Sequence, residues 1–199
     1  MPVRDNQNAT VDGYAPVDLE AGADGVQQLL TALGIDTEAV GLRETPRRVA
    51  KAYAEMLTPV PFEATTFPNE EGYDELVVAR AIPFHSLCEH HLIPFVGVAH
   101  VAYLPGARIV GLSKLARVVE HFARRLQVQE RMTVQIADWL EQQLSPKGVG
   151  VVLDAEHFCM TLRGVQKPGA RTTTSALRGR VREDERTRAE FLSLTQADR

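Results

Sequence analysis

Two short clusters of metal-type donors, Cys88-Glu89-His90-His91 and His157-Phe158-Cys159, constrain this chain more than any other feature in it. Between them they hold both of its cysteines. In the first cluster a Cys and a His three positions apart can turn toward one ion, a clamp of the kind that holds zinc through sulfur and nitrogen. Two donors do not complete a site, and the second cluster repeats the pairing. In an extended segment residues two apart point to the same side, so His157 and Cys159 are expected to face the cavity that Cys88 and His91 line. The resulting expectation is a zinc ion on Cys88, His91 and Cys159 with a fourth position open to water. His90 and His157 then stand unligated beside it. A closed structural site with His157 as fourth ligand stays open as an alternative.

The rest of the sequence bears on what surrounds such a site. The cysteines are far apart and each lies within three residues of a histidine, which favours metal binding over a disulfide. No apolar run approaches the roughly 18 residues of a membrane helix, and the first residues are polar, so a cytoplasmic protein with no membrane partner is expected. With 22 Lys and Arg against 26 Asp and Glu, the formal charge of −4 gives no general attraction to nucleic acid. An anionic ligand would have to be met by a local cluster of cations.

Residues 1–16 are polar and aperiodic and read as a flexible arm. Residues 17–58 read as a helical segment: apolar positions recur at helical spacing from Asp18 to Leu33, and Thr45-Pro46 opens a second helix with Thr45 as N-cap. From 59 onward a catalytic domain is expected. A loop to Tyr73 precedes strands at Glu75–Phe84 and Pro94–Leu104, with the Cys88–His91 turn between them. An amphipathic helix starts at Ser113 as N-cap. After a polar break at 127–131, a second helix runs from Met132 to Leu144. Strands follow at Val149–Leu153 and Arg171–Leu177, with an extended path through 157–165, and a short helix covers Thr187–Leu194. Strands in antiparallel pairs with helices set to one side indicate an α+β domain.

Lys114 and Arg117 occupy the first turn of the helix after Gly111, where free N–H groups and the positive end of the helix dipole already lie. Cations there are unfavourable unless an anion binds, phosphate being the natural choice. Arg163 adds a cation four residues beyond Cys159. Arg48 and Lys51, three apart on the second helix, are solvated surface or a further anion contact. Glu130, beside Gln129 in the polar break, is either a helix cap or a carboxylate placed to accept paired hydrogen bonds, as guanine offers. His90 and His157 are of the residue type that titrates near pH ~6.5 and so can carry a proton during turnover. His85, His100 and His121 give no such reason for a chemical role.

These stretches together resemble one family. CEHH at 88–91, GLSKLAR at 111–117, RLQVQER at 125–131, H-x-C at 157–159, RGVQK at 163–167 and TTTS at 172–175 are similar to GTP cyclohydrolase I. TPRRVAKAY at 45–53 and REDERTRAEF at 182–191 extend the likeness over nearly all of residues 18–195. The resemblance implies zinc on Cys88, His91 and Cys159, with His90 and His157 as proton-transfer groups. It implies guanine recognition by Glu130 with Gln129 beside it. Triphosphate contacts then fall to Ser113, Lys114, Arg117 and Arg163, joined by Arg48 and Lys51 of a neighbouring subunit. It further implies a tunnelling fold: a four-stranded antiparallel sheet with helices on one face, preceded by an N-terminal helical segment. GTP is the implied substrate, formate and dihydroneopterin triphosphate the products, and a homodecamer with sites at subunit interfaces the assembly. Another pterin enzyme of the same fold and a non-enzymatic structural zinc protein are the rival readings.

Overall fold

The computed structural model describes residues 16–196. The expected arm at 1–16 therefore lies outside the described residues apart from Pro16. The described chain forms two compact units that divide between Thr58 and Pro59.

The first unit is a helix pair, α1 (Leu19–Ala32) and α2 (Thr45–Leu57). Asp18 caps α1, its carboxylate accepting from the Ala21 N–H at 3.0 Å. Helix α2 starts one residue earlier than Thr45 as N-cap would give. Glu44 is the cap, without a side-chain hydrogen bond, and Thr45 is already helical, with Pro46 buried behind it. Proline needs no N–H donor in a first turn, so this start is stable without a capping side chain.

The second unit is α+β. Its elements are β1 (Thr66–Pro68), β2 (Val77–Cys88), β3 (Pro94–Leu104), β4 (Arg108–Val110), α3 (Leu112–Ala123), β5 (Leu126–Gln127), α4 (Gln129–Leu144), β6 (Gly148–His157), α5 (Phe158–Thr161), β7 (Arg171–Arg178), α6 (Gly179–Glu183) and α7 (Glu185–Gln196). β1 and β4 form a small antiparallel ribbon, and the main sheet runs β5-β2-β3-β6-β7. Its four long strands are antiparallel, but the sheet has five strands rather than four. The two-residue β5 pairs parallel to the end of β2, Leu87 beside Leu126 and Cys88 beside Gln127. A pairing this short carries no periodicity of its own.

Alternation along the strands splits the core in two. Phe95, Ala99, Val101 and Tyr103 of β3, with Val149, Val151, Leu153 and Ala155 of β6, face α3 and α4. Ala102 and Val152 face the other way, onto Val181 of α6 and Phe191 of α7. Helices thus cover both faces, not one. The C-terminal segment turns back because Phe191 fits over Gly150, where an added Cβ would stand 2.7 Å from the ring. In β2 a bulge between Ala79 and Ile82 puts Ala81 at a φ of 50°, and its N–H donates to His100 Nδ1 at 3.4 Å. His100 is buried at that bulge, a structural position. Among the described residues no helix is long and apolar enough to cross a membrane.

Candidate metal centre and catalytic site

One end of the sheet gathers the residues of interest. β2 ends at Cys88, β3 begins at Pro94 and β6 ends at His157, so antiparallel pairing sets all three at the same edge of the fold. After Cys88 the chain turns tightly. The Leu92 N–H donates to the Cys88 carbonyl at 2.9 Å, and Leu92 takes a φ of 55°. The turn is also tied to β5, since the Glu89 N–H donates to the Gln127 carbonyl at 3.0 Å.

Cys159 reaches the site by a different path from the extended one expected. His157 is the last residue of β6, and Phe158–Thr161 form a single helical turn. A strand that ends in a helical turn changes the direction of the next side chains, so the spacing of two does not operate here as it does within a strand. The donors converge nonetheless. Cys88 Sγ, His91 and Cys159 Sγ offer ligand atoms that all lie within 4.8 Å of one another, a group that can hold a metal ion. Cys88 is buried, Cys159 half-buried and His91 exposed. Burial pushes the Cys159 thiol above its usual range, and the neighbouring Cys88 sulfur adds to this, with Arg163 opposing it.

The two remaining histidines occupy different surroundings. His90 is open to solvent, its Nδ1 3.7 Å from Cys88 Sγ and its Nε2 3.7 Å from Glu89 Oε1. His157 is half-buried and does not belong to the converging donor group. Its ring lies parallel to Phe95, with centroids 4.6 Å apart and an interplanar angle of 2°. The pairing of β3 with β6 sets Phe95 directly opposite His157, which makes this stack a product of strand register. Burial lowers the His157 pKa from its ordinary value, while the Glu130 carboxylate pulls it up.

The polar break at 127–131 proves to be the short strand β5 followed at once by the first turn of α4, which starts at Gln129 instead of Met132. Glu130 is exposed in that first turn, where a carboxylate is favoured by the helix dipole. Gln129, expected beside it at the guanine contact, is 1% exposed and joins His157 Nε2 through its Oε1 at 2.7 Å. Helix α3 likewise begins one residue before Ser113. Gly111 is its cap, Ser113 lies exposed inside the first turn with Lys114, and Arg117 lies exposed one turn further on. No acidic residue stands in that first turn. Arg163 is exposed next to the α5 turn and acts electrostatically on Cys159. Arg48 and Lys51 are exposed on α2 of the first unit, Lys51 being 3.9 Å from Glu55.

A family model described as GTP cyclohydrolase I matches residues 23–196. The chain belongs to the GTP cyclohydrolase I family. It is 52% identical over 184 residues to a GTP cyclohydrolase 1 of Dehalococcoides mccartyi, covering 90% of this chain and 97% of the relative. A GTP cyclohydrolase 1 of Aquifex aeolicus is 51% identical over 180 residues, with 90% and 98% covered. One of Mycolicibacterium vanbaalenii is 50% identical over 194 residues, with 95% and 96% covered. Both donor clusters, and the first turns of α3 and α4, fall inside the segment matched to the family.

Four contributors to this site carry no signal of their role in the sequence. Phe95 was legible as a strand residue, but its stack on His157 depends on register. Arg131 pairs with Glu89 and also donates to Gln127 Oε1 at 3.2 Å, fixing the metal-side turn to the start of α4. Thr172 and Thr174 were visible only as part of a Thr-rich strand, and they hold Gln129.

Proposed function

We propose that this chain hydrolyses GTP, opening the imidazole ring of guanine to release formate and leave 7,8-dihydroneopterin triphosphate. The observation that carries the reading is the convergence of Cys88, His91 and Cys159 beside two further histidines, in a member of the GTP cyclohydrolase I family. The donor chemistry favours zinc. Bond lengths of about 2.3 Å to sulfur and 2.0–2.1 Å to nitrogen set tetrahedral neighbours roughly 3.6 Å apart. Cys88 Sγ and His91 Nδ1 are 3.7 Å apart. When bound, the metal supplies Lewis-acid activation of water for the hydrolysis.

The chain's own groups do the rest. His90 and His157 move protons at the purine and ribose atoms that gain or lose them as the ring opens. Glu130, an exposed acceptor at a helix start, pairs with the ring N–H and exocyclic amine of guanine, which adenine does not offer in that pattern. Ser113, Lys114, Arg117 and Arg163 hold the triphosphate, aided by the free N–H groups of α3. Arg48 and Lys51 serve the site of a neighbouring subunit in a cytoplasmic homodecamer of the tunnelling fold. The triphosphate does not react. Its binding holds the base over the metal.

The test is to incubate zinc-loaded protein with GTP and measure formate together with the fluorescent pterin formed on oxidation. Stoichiometric appearance of both is expected, and their absence overturns the reading. Cys88→Ser is expected to lose metal and activity together. Glu130→Ala is expected to weaken GTP binding and erode selectivity over ATP. Unchanged selectivity removes Glu130 from the guanine contact.

A further inference from the structure

Gln129 is buried to 1% exposure at the first position of α4, and every polar atom of its side chain is engaged. Its amide nitrogen donates to the Leu153 carbonyl at 3.2 Å, the Thr172 carbonyl at 2.9 Å and Thr174 Oγ1 at 3.1 Å. The two carbonyls can only accept, so they fix which side of the amide carries the hydrogens. A flipped amide would set its oxygen against both of them. The hydroxyls agree with this orientation. Thr133 Oγ1 donates to the Gln129 carbonyl at 2.7 Å, so in its 2.7 Å contact with Thr174 Oγ1 the Thr174 hydroxyl is the donor. The Thr174 oxygen is thereby left to accept from the amide.

With the nitrogen side fixed, Gln129 Oε1 must face His157 Nε2, 2.7 Å away. An amide oxygen only accepts, so Nε2 must carry a hydrogen. The Phe95 ring, stacked parallel on the imidazole, holds the plane in which that bond is made. We infer that Gln129 is a positioning residue that locks His157 in the Nε2–H tautomer, leaving Nδ1 as the atom that exchanges protons with substrate. The inference rests on the reading of His157 as a proton-transfer group. Its proton balance is simple. Neutral His157 accepts a proton at Nδ1 with the lone pair of that nitrogen, giving an imidazolium that still donates through Nε2 to Gln129. Release from Nδ1 restores the starting tautomer.

Other catalytic histidines likewise have their tautomer set by the hydrogen bond at the second nitrogen. The buried glutamine and the exposed glutamate beside it then have separate tasks: Glu130 meets the ligand, and Gln129 meets the histidine.

The experiment uses zinc-loaded protein labelled with 15N-histidine. Long-range proton–nitrogen correlation spectra, with His157 assigned by its loss in His157→Gln, are expected to show a single Nε2–H tautomer. A proton on Nδ1 instead overturns the inference without any variant. Gln129→Met keeps the volume and removes the amide. It is expected to give mixed tautomers at His157 and a kcat lower by about 10–100-fold, with KM for GTP changed by less than about threefold. A rise in KM at unchanged kcat would make Gln129 a substrate contact and overturn the inference. Wild-type kcat in His157→Gln would sink the proton-transfer reading itself, an outcome distinct from either result on Gln129.

Discussion

Glu89 and Arg131, 42 residues apart in sequence, form an ion pair that fastens the metal-side turn to the first turn of α4. The Arg131 guanidinium holds the Glu89 carboxyl below its usual range, chiefly through the hydrogen bond between them. Arg131 also donates to the Leu126 carbonyl at 3.2 Å, so one side chain spans β5 and the turn. Glu89 stands between Cys88 and His90 and is not among the converging donors, so its pairing with Arg131 bears on how those neighbours are held. Arg131→Ala is therefore expected to lower zinc affinity by about 10–100-fold, the range seen when groups that orient metal ligands are removed. Competition against a chromophoric chelator measures this. Wild-type affinity in the variant would show that the turn holds its shape without the pair.

Zinc binding should release protons. Burial and the nearby Cys88 sulfur push the Cys159 thiol up, so at neutral pH it carries its proton in the metal-free protein. A thiol ligand must be deprotonated, so metal uptake expels that proton and affinity weakens as pH falls. The expected result is acidification of a weakly buffered solution on adding zinc, largely lost in Cys159→Ser. Equal acidification in that variant would assign the protons to other groups.

The sequence carried the donor set because thiols and imidazoles are rare and their spacing is chemical information. It carried β3 equally well: Pro94–Leu104 is bounded by prolines and filled with strand-forming residues, and those bounds are the observed ones. What it could not carry depends on pairing. The extended path assumed for Cys159 failed because a helical turn of four residues leaves no periodic signal. Val128 and Gly111 cap their helices without a side-chain hydrogen bond, so the starts of α4 and α3 were read too late. The stack of Phe95 on His157 and the grip of Thr172 and Thr174 on Gln129 arise from strand register and from packing of α4 on the sheet, which no local pattern encodes.

The C-terminal helix contributes stability at a distance from the chemistry. Phe191 is fully buried on the sheet face opposite α3 and α4, against Ala102, Val152 and Val181. Phe191→Ala is expected to destabilise the folded chain by about 3–5 kcal/mol through lost burial and a residual cavity. Denaturant unfolding measures it. Metal stoichiometry at low temperature should be unchanged, because none of the converging donors packs on this face.

The ionisation of His157 offers a signed test of its surroundings. Burial disfavours the imidazolium and lowers the pKa from the ordinary value near ~6.5, while the Glu130 carboxylate favours the charged form and raises it. Because the folded value is the lower one, the stability contributed by neutral His157 is complete above the unfolded pKa. It is lost as pH falls through the folded pKa. Glu130→Gln removes the opposing charge and leaves burial unbalanced. The His157 midpoint in metal-free protein, followed by NMR, is therefore expected below the ordinary value in the wild type and lower still in Glu130→Gln. An unchanged midpoint in the variant would mean that Glu130 does not act on this ring, and a risen one that it acts with the opposite sign.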